Sequence, residues 1–185
     1  MVKNEMTAEN LRSAFGGESQ AYQRYQVWGQ KAEEDGYPNV GLLFRAIAYA
    51  EEVHASNHFE ALENVKGDFL VASGAGFGLG STVENLEGAI AGEEYEIEQM
   101  YPSFHLVASE QDEKDALRSF RYAREAEKIH ARLYREAKES VENGEDYDLE
   151  YVSVCEVCGH TVKDDTPGKC PICGAPEEDF KEFRE

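Results

Sequence analysis

The stretch AYAEEVHASNHFEAL, residues 48–62, carries Glu51 and His54 three positions apart. In a helix the two stand one above the other on a single face. Ala48, Ala50, Ala55 and Ala61 surround them, the small residues of a face that packs against other helices. Alone the pair says little, because a Glu and a His at helical spacing ordinarily form a solvated couple. The stretch REAEKIHARLY, residues 124–134, changes that reading. Glu127 and His130 repeat the Glu-x-x-His spacing 76 positions later.

Two further acids complete a pattern. Glu18 lies 33 residues before Glu51, Glu93 lies 34 before Glu127, and the two are 75 apart. The chain therefore reads as two similar helical hairpins, each with a Glu on its first helix and a Glu-x-x-His on its second. Helix signals frame them. A first helix runs from an N-cap at Thr7 to Gly36, and a second from Pro38 or Asn39 to Gly67. Ser81 with Glu84 opens a third as a capping box, which Pro102 should kink or locally distort, and a fourth runs from near Asp112 to Gly144.

Antiparallel packing of these helices brings Glu18, Glu51, His54, Glu93, Glu127 and His130 to one height, facing inward. That is the donor set of a di-iron or di-manganese carboxylate bundle. Carboxylates buried without cations would be too costly, so metal explains why they are tolerated. GEEYEIEQMYP, residues 92–102, adds Glu96 three positions after Glu93, where the first hairpin has Ala21. A seventh donor on one side only implies that one metal can change partners. His58, four after His54, has Tyr134 as its repeat counterpart and reads as structural or exposed; His105 and His160 read as ordinary residues.

The connection GDFLVASGAGFGLG, residues 67–80, never satisfies G-x-G-x-x-G and follows no clear strand, so it reads as a flexible crossover rather than a phosphate cradle. From EDYDLEYV, residues 145–152, helical periodicity stops. All four cysteines fall in CEVCGHTVKDDTPGKCPICGA, residues 155–175, as Cys155-x-x-Cys158-Gly and Cys170-x-x-Cys173-Gly. Four thiolates in two knuckles make a tetrahedral site for iron or zinc. Alone the spacing suits a structural zinc; a neighbouring redox-active pair of irons favours iron. The expected division is a mainly α bundle over 1–146 and a small metal-binding tail over 147–185.

The net charge of −20 over 185 residues argues against a nucleic-acid partner. No apolar run approaches membrane-spanning length. The start, MVKNEMTAEN, lacks the apolar core of a signal peptide, so a cytoplasmic location is expected.

Taken in order, these motifs closely resemble the rubrerythrin family along nearly the whole chain. The resemblance implies a ferritin-like four-helix bundle followed by a rubredoxin-like domain. It implies di-iron ligands at Glu18, Glu51, His54, Glu93, Glu96, Glu127 and His130, supporting tyrosines at Tyr25 and Tyr101, and an Fe(Cys)4 centre at Cys155, Cys158, Cys170 and Cys173. Zinc can replace that iron when the protein is produced in a foreign host. The family's activity is reduction of hydrogen peroxide to water in oxidative stress defence. Electrons come from NAD(P)H through a separate reductase or rubredoxin, and one iron exchanges His54 for Glu96 on oxidation. The alternative is a ferroxidase or iron-handling protein, which would need neither Glu96 nor the cysteine tail. Glu127 lies 17 residues before Gly144, ~25 Å along the helix. A tail packed at its own bundle's end would be far from the irons. The linker residues could fold it back, but the resemblance implies a partner subunit arranged head to tail. At least a homodimer is therefore expected, with one chain's cysteines serving another's irons.

Overall fold

The structure, a computed structural model, describes residues 1–184. Its helices are α1 (Glu5–Glu34), α2 (Pro38–Ala61), α3 (Thr82–Tyr95), α4 (Tyr101–Glu110) and α5 (Lys114–Glu142). A π-helical turn, Glu96–Met100, joins α3 to α4 as one long interrupted rod. The first hairpin turns at Gly36, whose φ of +92° suits glycine, and Pro38 then occupies the first turn of α2. Ser81 and Glu84 form the full capping box at the start of α3.

Three helix boundaries differ from the sequence reading. Helix α1 starts before Thr7, whose hydroxyl instead donates to Gln111 Oε1 at 2.6 Å. Helix α2 ends at Ala61, short of Gly67. Helix α5 starts at Lys114, because Asp112 adopts a φ of +52° that no helix continues. The entry into α1 is held from a distance. One oxygen of Glu113 accepts the amides of Lys3 and Asn4 at 2.7 and 2.8 Å and the Asn4 side chain at 2.7 Å. Burial would raise the Glu113 carboxyl, but these donors outweigh it and hold it below its ordinary value. Glu113→Gln should therefore cost about 1–2 kcal/mol at neutral pH. The folded pKa is the lower one, so the contribution is complete above the ordinary carboxylate pKa and fades as pH falls through the folded value. Urea midpoints of the two proteins should converge in acid.

The π turn is the physical form of the distortion expected at Pro102. The amide of Tyr101 reaches back five residues to the carbonyl of Glu96. One extra residue is absorbed there. Glu18 and Glu93 are 75 apart, but Tyr25 and Tyr101 are 76 apart, so the repeat slips by one between Glu93 and Tyr101.

After Gly144, φ +79°, the chain folds back. Asn39 donates its amide to Asp146 and its side chain to the Tyr147 carbonyl, both at 2.8 Å. Strands β1 (Val152–Cys155), β2 (Thr161–Lys163) and β3 (Phe180–Phe183) form an antiparallel sheet ordered β2-β1-β3. Val152 and Val154, fully buried, join Phe44, Ile47 and Leu133 in one apolar cluster. The tail is thus welded to the side of the bundle by a shared core.

Candidate metal centres

Four helices deliver the expected side chains to one buried point. Glu18 comes from α1, Glu51 and His54 from α2, Glu93 from α3, and Glu127 and His130 from α5; each is at most 1% exposed. They form two overlapping quartets, Glu18–Glu51–His54–Glu127 and Glu51–Glu93–Glu127–His130, with donor atoms within 4.8 Å of one another. Glu51 and Glu127 belong to both. The Nδ1 of His54 lies 3.1 Å from Glu51 and 2.9 Å from Glu127, and that of His130 lies 2.7 Å from Glu127. Both rings therefore present Nδ1 to the carboxylates.

Electrostatics identify what this arrangement lacks on its own. Burial first, and then the Glu51 and Glu127 charges, push Glu18 and Glu93 well above the carboxylate range. Burial and the charges of Glu18, Glu127 and Glu51 do the same to Glu96. Burial opposes charge on His54 and His130, but Glu127 beside each outweighs it, raising His54 strongly and His130 to about 9. Burial also opposes ionisation of Glu127, yet the two imidazoles hold it low. Glu18 Oε2, Glu51 Oε1, Glu93 Oε2, both Glu127 oxygens and His130 Nδ1 have no hydrogen-bond partner. Orphaned oxygens and imidazole nitrogens converging in a dry site fit a pair of divalent irons, which supply the missing positive charge.

The tyrosines cross between hairpins. Tyr25 of the first donates to Glu93 of the second at 2.6 Å, and Tyr101 of the second donates to Glu18 of the first. Each holds one terminal carboxylate in place while leaving its other oxygen free. His58, indicated as structural, is fully buried: its Nε2 lies 2.9 Å from the Tyr101 hydroxyl and its Nδ1 2.7 Å from Ser119. Tyr101 spends its proton on Glu18, so His58 must donate from Nε2 and accept from Ser119. Burial holds this imidazole down to about 3, consistent with a neutral ring. The repeat counterpart, Tyr134, makes no such bond and packs edge-on against Tyr25 at 5.4 Å.

Glu96, partly buried, belongs to neither quartet. It lines a cleft between α1 and the rod α3–α4, shared with Arg24 and roofed by the crossover loop. That loop is laid onto α1 by Ser13 to the Ala72 carbonyl (3.1 Å) and Trp28 to the Gly78 carbonyl (3.0 Å).

In the tail, Cys155, Cys158, Cys170 and Cys173 converge within 4.8 Å, with Sγ separations of 3.6 Å (Cys155–Cys173) and 3.5 Å (Cys158–Cys170). The two knuckles match: Gly159 and Gly174, φ +76° and +84°, return their amides to the carbonyls of Cys155 and Cys170. A hydrogen bond from Cys158, with help from the amides of Val157 and Cys158, brings the Cys155 thiol down to about 6. Burial raises Cys173 to about 11.

Of the two positions open to this tail in the sequence reading, folded back on its own bundle or serving a partner chain's irons, the single chain adopts the first. Within one chain it lies across α2 and α5 at the height of the quartets. Tyr49 donates to Glu156 at 2.8 Å and Asn57 to the Val157 carbonyl at 3.0 Å. Gly159 sits so close to His54 Nε2 that an added methyl group would overlap the ring. Thr161, fully buried, lies 2.9 Å from His130 Nε2 and donates to the Gly159 carbonyl at 3.0 Å. The hydroxyl therefore accepts from His130 Nε2–H, which leaves Nδ1 free to bind metal. The distance argument for a partner subunit falls away. No sequence signal marks Thr161, because its role exists only in the docked tail.

The family profile described as Rubrerythrin matches residues 9–138, and that of the rubrerythrin rubredoxin-like domain matches 154–181. The chain belongs to the rubrerythrin family. It is 50% identical to Rubrerythrin-2 of Clostridium acetobutylicum over 98% of this chain and 99% of that one. It is 33% identical to a rubrerythrin of Porphyromonas gingivalis, covering 99% and 92%. Fully reduced, all-ferrous nigerythrin superposes with a TM-score of 0.86 at 31% identity, covering 99% of this chain and 88% of nigerythrin's. As in its family, the ferritin-like bundle of this chain carries a carboxylate and histidine di-iron site and the rubredoxin-like tail a four-cysteine metal site. No helix among the described residues is long and apolar enough to cross a membrane.

Proposed function

We propose that this rubrerythrin-family chain is a peroxidase that reduces hydrogen peroxide to water, drawing electrons through its four-cysteine iron from an external NAD(P)H-dependent reductase or rubredoxin. The observation that carries the reading is the placement of the two approaches. The cysteine knuckle rests on His54 and His130 at the α2/α5 face, while the cleft reaches Glu96 from the α1/α3 face. Electrons and oxidant thus meet at the site from opposite sides. A ferroxidase would have no use for the docked tail.

In this reading Glu51 and Glu127, common to both quartets, would hold both irons, with Glu18 and His54 holding one and Glu93 and His130 the other. A reduced di-iron centre supplies the two electrons that cleavage of the peroxide O–O bond requires. Tyr101 and Tyr25 hold Glu18 and Glu93 as donors and keep them oriented. Glu96, which feels the charge of Glu18 most strongly among its neighbours, would take the place of His54 as a ligand to an oxidised iron, a carboxylate being the better partner for the harder ferric ion. Four unbridged thiols fit a reducing, cytoplasmic setting.

After anaerobic reconstitution, elemental analysis should find three irons per chain, two in residues 1–146 and one in 147–185. One equivalent of hydrogen peroxide should then oxidise both bundle irons of the reduced protein. A protein that consumes oxygen and ferrous iron but leaves peroxide untouched would establish the ferroxidase alternative instead.

A further inference from the structure

The cleft above Glu96 is much larger than hydrogen peroxide needs. Its volume is about 800 Å³, whereas a water molecule takes about 30 Å³ of liquid and sites for organic ligands run from roughly 300 to 1,000 Å³. Gly17, Gly92 and Glu96 are among the residues that line the cleft, the first two next in sequence to Glu18 and Glu93. Trp28, Phe77, Leu79, Tyr95, Met100 and Phe104 supply the apolar part of its lining, beside the polar Ser13, Ser73 and Asn85. Three of the apolar residues are left in water, Phe77 at 93%, Leu79 at 62% and Tyr95 at 58% exposure. Exposed apolar surface gathered on the rim of a cleft marks a binding surface rather than a solvated loop. Charge is confined to Arg24, Glu84 and Glu96, and Glu84 is already engaged by Ser81.

We infer that this cleft binds the hydrocarbon part of an organic hydroperoxide, with its –OOH group at Glu96. The inference rests on the peroxidase reading and names a further substrate class for the same site. The reaction balances as the hydrogen peroxide reaction does. The O–O bond of ROOH breaks, two electrons come from the reduced di-iron centre, and two protons complete one ROH and one water. Apolar R groups gain by leaving water for the apolar part of the lining, at roughly 25 cal/mol per Å² covered.

The test mixes chemically reduced, iron-loaded protein with cumene hydroperoxide or hydrogen peroxide in a stopped-flow instrument. Cumene hydroperoxide should oxidise the protein with saturable kinetics and yield one 2-phenyl-2-propanol per two electrons. The Phe77→Asp, Leu79→Asp double variant, altered only on the exposed loop, should lower the cumene-to-hydrogen-peroxide rate ratio about tenfold, the scale of lost apolar contacts. Independently, 2-phenyl-2-propanol should change the fluorescence of Trp28, the chain's single tryptophan, in zinc-loaded protein, and do so more weakly in the variant. Hydrogen peroxide turnover with no saturable cumene reaction, or an unchanged ratio and unchanged fluorescence, overturns the cleft assignment alone. Failure of both peroxides to oxidise the protein overturns the peroxidase reading with it.

Discussion

Replacing Gly159 by alanine is expected to uncouple the two metal centres while leaving both filled. Gly159 follows the second thiolate of its knuckle and lies against His54, and its carbonyl receives the Thr161 hydroxyl that holds His130. A methyl group there has no space, so the knuckle must lift away from α2 and α5. Electron tunnelling falls exponentially with distance and favours bonded paths, and this lift breaks the Gly159–Thr161–His130 string. Transfer from the tail iron should therefore slow measurably. A matched control exists. Gly174 has the same role in the other knuckle and a similar φ, +84°, but an added methyl there would meet only the Lys169 side chain at 3.4 Å. Gly174→Ala therefore imposes equal backbone strain without the collision. Stopped-flow reoxidation of the tail iron by peroxide separates the two: Gly159→Ala should be slow and Gly174→Ala near the parent. Equal rates in both variants would show that the docked knuckle is not the route.

The difference between these glycines is also the difference between what the sequence discloses and what it hides. The quartets were legible because helical periodicity fixes which residues share a face, and the two hairpins state the same Glu and Glu-x-x-His pattern twice. The knuckles were legible because four thiolates at that spacing have one good geometry. Helix boundaries slipped where a distant group intervened, as at the start of α1, where Glu113 binds the amides of Lys3 and Asn4 just ahead of the first turn. The π turn left a trace, the slip from 75 to 76 in the repeat, but a one-residue offset does not say which hydrogen bond absorbs it. The docking of the tail left none. It depends on Val152 and Val154 burying against α2 and on Thr161 meeting His130, contacts between segments whose spacing carries no periodic signal. His58 could be separated from the metal donors only because its repeat partner is a tyrosine; that it braces Tyr101 required the fold.

Two carboxylates on the same site should respond oppositely to removal. Glu127 belongs to both quartets and has no oxygen committed to a hydrogen bond, so it is placed to bridge. Glu127→Ala should empty both positions together, lowering apparent affinity by more than about a hundredfold, the upper end of what losing even a supporting group costs. It also leaves His54 and His130 without the nearer of the two acids, Glu127 and Glu51, that their Nδ1 atoms approach. Glu96 is in neither quartet, and the six remaining donors can still hold two metals. Glu96→Ala should therefore keep two irons in the bundle. Its loss is felt when the centre is oxidised, because the first hairpin offers only Ala21 at the equivalent position and Glu18, Glu51 and Glu127 are already donors to the quartet. Turnover with peroxide should fall by roughly a hundredfold, the scale of removing one group that stabilises developing charge. Metal analysis and steady-state rates, measured on both variants, read the two effects separately. A Glu96→Ala protein with full turnover would remove Glu96 from the exchange. One that lost both irons would make it a structural ligand, and the asymmetry between the two ends of the site would then need another source.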